Sequence, residues 1–319
     1  MNEMNDLKSG MFVQHASLGL GKVVAVEPGA VHVFFDASES RFATKLRLPM
    51  AAPLLRPTNA KNAWLAATSP FARDARSGRF ALAQSWVPER EAIARFDEAF
   101  PDGFADPQAA PGGKGKRERA RAEKWWAANA AYSELFGAGE GERLLADGKL
   151  AELVRRALRV ERHLSALYPA PDKVALTQAL EDPSGCGDYF AALFALLAAP
   201  AAEKRARFED LARAVGALPR ATPGVGWVVA TVLPAIAQPD RHVLLRPKAI
   251  CDAAHRLGFD VKYDAEPNWR TYDAVLGVAK VLLERLRSAR ARDFVDVESF
   301  VHEIVSRRPK AAAPAEALA

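Results

Sequence analysis

The feature that most constrains this chain is a change of hydrophobic period at Pro57. Before it, apolar residues recur at every second position in short runs broken by glycine. Beyond it they recur at every third or fourth position. A period of two belongs to strands and a period near 3.6 to helices buried along one stripe, so two architectures follow one another in a single chain. Half of the 319 residues are apolar, enough to bury a sizeable core. The expected fold class is mainly α and multidomain, with a small N-terminal β-barrel followed by a helical domain.

In the first part, "FVQH" leads through "ASLGLG" into "KVVAV", "EPGA" turns into "VHVFF", and "SRFATKLRL" follows "DASE". Val31, Val33 and Phe35 alternate with His32 and Phe34, which predicts a strand with one buried face. Gly19, Gly21 and Gly29 stand where tight turns need a permissive backbone. The reading is a five-stranded, SH3-like barrel over residues 1–57. The stretch "GMFVQHASLGLGKVVAVEPGAVHVFFD" resembles the Tudor-like domain that ends bacterial repair helicases, and more distantly the polymerase-binding domain of CarD-type regulators. That resemblance implies docking on RNA polymerase, a repair protein or nucleic acid rather than catalysis. His15, Lys22 and Arg41 are the candidate partner-binding residues, against the plainer reading of a structural histidine and solvated strand faces.

Residues 58–116 read as a helical connector and linker. "NAKNAWLAAT" and "PEREAIARFDEAF" have helical spacing, and "PDGFADPQAAPGGKGK" gathers proline and glycine without apolar period. The run "KGKRERARAEKWW" then opens a helical domain over residues 117–306. Its Lys114, Lys116, Arg117, Arg119, Arg121 and Lys124 face only Glu118 and Glu123. One reading is a phosphate-contacting arm, with Lys114, Lys116, Arg117 and Arg119 on DNA; the other is a solvated helix start whose tryptophans turn inward. Further on, Leu150, Leu153, Val154, Ala157, Leu158 and Val160 form a stripe opposed by arginines. "YFAALFALLAA" reads as a core helix, and the tail 307–319 as disordered.

The stretch "ATPGVGWVVATVL" follows the helix "RFEDLARAVGAL". Its layout is that of a helix-hairpin-helix element. Gly224 and Gly226 permit the turn, Val225 plugs between the helices, and Ala230 allows their close approach. Pro223, Gly224, Val225 and Gly226 would leave backbone N–H groups at the second helix's positive end, where a DNA phosphate is held without reading sequence. This stretch, with "PDRHVLLRPKAICDAAHRLGF", resembles the hairpin of the endonuclease III and AlkA superfamily of DNA glycosylases. By that resemblance Asp240 takes the place of the catalytic aspartate. Trp227, Val228 and Val229 occupy positions where bifunctional members carry a lysine, so no Schiff base forms and a lyase step is not expected. Asp240 either activates water or stabilises a cationic sugar, or else it caps the next helix or pairs with Arg241.

The formal net charge of +5 suits an anionic partner. The chain's two cysteines, Cys186 and Cys251, lack metal spacing, and no CxxC or HExxH occurs, so neither a metal nor a cofactor is expected. Neither a signal pattern nor a membrane-spanning run is present, and a cytoplasmic location is expected. The expected function is binding of double-stranded DNA in transcription or repair, with the barrel recruiting a protein partner. The alternatives are a monofunctional base-excision glycosylase using Asp240 and a non-catalytic structural adaptor.

Overall fold

The computed structural model describes residues 7–51, 53–60, 62–101, 103–105, 116–165, 170–219 and 225–306. The N-terminal strands are β1 (Phe12–His15), β2 (Gly19–Glu27), β3 (Ala30–Phe35), β4 (Thr44–Arg47) and β5 (Leu55–Pro57), with a short helix α1 (Leu48–Ala51) before β5. They form one antiparallel sheet in the order β4-β3-β2-β1-β5. A bulge between Val23 and Ala25 bends β2. One face of the sheet buries Val13, Val23, Val31, Val33, Phe35 and Leu55.

The other face is buried as well, which corrects the one-faced expectation for β3. All six of its residues are buried, because the chain beyond Pro57 folds back over it. Phe34 packs with Ala43, Leu65 and Leu82, flanked by Phe71, Phe80 and Trp86. His32 turns its ring edge to Phe80 at 4.9 Å and brings Nε2 to 3.0 Å from Glu27. The covering segment contains α2 (Ala63–Ala67) and a small hairpin, β6 (Ala72–Arg73) and β7 (Phe80–Ala81). The sequence carries no clear strand signal there; main-chain bonds from Ala43 to Phe80 and from Leu82 to Arg41 hold the hairpin in place.

The helices follow as α3 (Glu89–Ala99), α4 (Lys116–Phe136), α5 (Glu140–Ala146), α6 (Leu150–Ser165), α7 (Ala170–Lys173), α8 (Ala175–Ala179), α9 (Gly187–Ala198), α10 (Lys204–Ala217), α11 (Val225–Ala237), α12 (Pro247–Leu257), α13 (Trp269–Arg285) and α14 (Phe294–Ser306). Their core is continuous and extends back to α3, whose Phe96 is buried against Phe100, Phe104 and Phe300. The stretch 58–105 is therefore built into both units rather than strung between them. Ser69 and Val87 donate to the carbonyls of Gly258 and Arg256, and Trp64 packs on Phe259. The centre of the core is α11, whose residues from Val225 to Ile236 are all buried. The 307–319 tail and most of the proline- and glycine-rich linker lie outside the described residues. Among the described residues no helix is long and apolar enough to cross a membrane.

Candidate nucleic-acid interface

α10 and α11 are successive helices packed on one another. Phe208 of α10 stacks on Tyr272 at 4.1 Å between ring centroids and on Trp227 at 6.3 Å. The Trp227 indole N–H donates to the Asp264 carbonyl. Thr231 donates its hydroxyl to the Trp227 carbonyl at 2.6 Å and accepts the Leu245 N–H at 2.9 Å, fixing the returning chain against mid-helix. Val225 and Gly226 are buried at the first turn of α11, and that turn carries no acidic residue. Pro223 and Gly224 lie outside the described residues. Val225 is 7% exposed.

Asp240 does not stand at this turn. α11 runs thirteen residues, and at 1.5 Å per residue its two ends are roughly 18 Å apart. Asp240 is an exposed turn residue beyond the far end. Lys204, the first residue of α10, donates to the Arg241 carbonyl at 2.5 Å, placing this loop at the start of α10 when the hairpin lies at its finish. Nor does Asp240 cap α12, whose N-cap is Arg246 with no side-chain capping bond. The thirteen residues of α11 thus lie between the first turn of that helix and the exposed turn that holds Asp240.

The three residues expected to meet a partner are engaged within the chain. His15 is 5% exposed; its Nδ1 accepts the N–H groups of Ser17 and Leu18 and its ring meets Phe35 edge-on. Lys22 donates to the carbonyls of Ala66 and Thr68 at 2.7 and 2.8 Å, and burial lowers its pKa. Arg41 reaches the Leu82 carbonyl and the Asp74 carboxylate. Bonds from Ser77 and Arg41 hold Asp74 well below the ordinary carboxyl range. Lys22 and Arg41 thus tie the sheet to the covering segment, while His15 is held within the sheet's own residues. In the basic run, Lys114 lies outside the described residues, as do the side chains of Lys116, Arg117 and Arg119, although α4 begins at Lys116. Trp125 turns inward at 5% exposure, whereas Trp126 is 37% exposed.

A buried carboxyl escaped the pattern reading. Glu161 is 5% exposed on α6, and burial pushes its pKa up to about 7 against the pull of Arg162 and Lys173. It falls four residues after Ala157 and three before Leu164, on the apolar stripe itself; that spacing was the signal available. Nearby, burial also raises Asp172 against Arg246, and Arg246 pairs with Glu298 at 2.9 Å. A cavity of about 100 Å3 adjoins this pair, walled mainly by apolar side chains of α12, α13 and α14. Among the described residues no three His, Cys, Asp or Glu side chains gather to hold a metal.

Comparison with protein-family models, with curated proteins and with solved structures finds no match to this chain.

Proposed function

We propose that this is a non-catalytic, double-stranded DNA-binding protein of transcription or repair, acting in the cytoplasm through a helix-hairpin-helix turn. The observation that carries the reading is the α10–α11 pair. Two successive helices pack on one another, and Val225, Gly226 and Ala230 are buried along with the rest of α11 up to Ile236. An acid-free first turn follows the glycine-containing connection. Such a helix start offers main-chain donors and a positive dipole end to one phosphate.

The N-terminal sheet fits a small barrel of the Tudor-like kind, since β5 returns to pair with β1. We assign it the recruitment of RNA polymerase or a repair protein, through surfaces other than His15, Lys22 and Arg41. Asp240 has no part in this reading, which is why DNA binding is preferred to base excision.

The test is fluorescence anisotropy of the full chain on a labelled duplex of arbitrary sequence at two salt concentrations. The parent should bind, and binding should weaken steeply with salt. Replacing Gly224 and Gly226 together by alanine should lower affinity roughly ten- to a hundredfold, the worth of one charge-assisted contact, in protein whose melting curve is still cooperative. Equal binding by that folded variant would leave the turn a structural element and favour the adaptor reading.

A further inference from the structure

Helices α12 and α13 both pack on α14, and where the three meet they wall the cavity of about 100 Å3. Small side chains create it. α12 presents Ala249 and Ala253, one helical turn apart, together with Ala254, and α13 presents Ala279. At these positions the side chain stops at Cβ and cannot fill the space between the helices. The rest of the wall is made chiefly by Leu257, Val275, Leu282, Phe294 and Val297, all buried.

Among the described residues that line the cavity, the polar side chains are Arg246, Glu298 and His302. Arg246 is paired with Glu298 at 2.9 Å, so the two charges offset one another and an ion gains nothing over a neutral guest. Ala249, Ile250 and Val301 are half-buried and mark the side on which the cavity reaches solvent, between α12 and α14. Water is a poor occupant of such a space, because it needs several polar partners and the wall is apolar. An apolar guest instead supplies the dispersion contacts that the wall lacks.

We infer that this cavity binds a small uncharged hydrocarbon group the size of a single ring. An apolar cavity of roughly 150 Å3 is enough to take up benzene, and this one has a comparable volume with one side open. The ring lies against Ala253 and Ala279 with its edge toward Ile250 and Val301. The site is separate from the start of α11 and does not depend on DNA binding.

The experiment is a titration of the full chain with benzene, benzoate and benzylammonium, followed by the amide NMR shifts of Ala253 and Ala279. Benzene should move both signals saturably and bind at least about tenfold more tightly than either ion, whose charge would have to be desolvated. It should also raise the thermal midpoint as the site fills. Ala253→Leu extends the side chain into the cavity and should weaken benzene binding at least about tenfold. If that variant does not fold, Ala249→Phe, at the half-buried opening, makes the same test. Absence of a saturable shift, equal or tighter binding of either ion, or undiminished benzene binding in a folded filled variant would overturn the assignment.

Discussion

Lys204 ties the first residue of α10 to the loop after α11 by donating to the Arg241 carbonyl at 2.5 Å. The same bond fixes where Asp240 lies and holds a lysine in a partly desolvated position. Burial, with Arg241 and Lys280 nearby, brings its pKa down to about 8.

Stability should therefore rise with pH above about 8. Between that value and the ordinary lysine value of 10.5, the unfolded chain holds more protons than the folded one, so deprotonation favours folding. Urea midpoints measured from pH 8 to 9.5 should increase, and Lys204→Met should lose most of that slope. Lys22, also lowered by burial, adds to the slope, and the Cys186 and Cys251 thiols, raised by burial, oppose it, so the difference between parent and Lys204→Met isolates Lys204. A slope unchanged in Lys204→Met would show that its charge is well solvated.

Glu161 gives the opposite dependence. Its folded pKa, up to about 7, exceeds the unfolded value, so stability falls as pH rises from 4.5 toward 7. His242, lowered to about 3 chiefly by burial, works against this slope below pH 6.5. The difference between parent and Glu161→Gln isolates the carboxyl. At pH 8 the variant should be more stable by about 1–2 kcal/mol after allowance for solvent screening, and the difference should shrink at pH 5. Equal stability at pH 8 would mean that Arg162 and Lys173 fully compensate the charge.

Lys22→Met should destabilise the chain by about 1.5–3 kcal/mol in urea unfolding, since two main-chain carbonyls, Ala66 and Thr68, lose a charged donor. Arg41→Ala should act in the same direction through Leu82 and Asp74. A loss of partner affinity at unchanged stability in either variant would restore these residues to a recognition surface.

Gly258 ends α12 at φ 73°, and a Cβ there would meet the Trp86 ring at 2.9 Å. Gly258→Ala should cost about 1–3 kcal/mol, through left-handed strain together with overpacking where the covering segment docks. The thermal midpoint is the readout. A midpoint unchanged from the parent would show that Trp86 yields freely.

The sequence by itself determined the local elements. Alternation in "VHVFF" made β3 and the apolar-with-arginine pattern made α6, and just before α14 the Asp293 Oδ1 accepts the nearby Val295 and Asp296 N–H groups. These features depend on spacing and nearest neighbours, which one stretch of chain contains. Tertiary structure decided what each surface faces. The second buried face of β3 exists because residues some 30 to 50 positions later return to it, and the same return engages Lys22 and Arg41. The distance of Asp240 from the first turn of α11 depends on how far that thirteen-residue helix carries the chain before it turns. Strand pattern and charge describe what a residue offers; only the path of the chain through space determines which residue, or which solvent, takes it up.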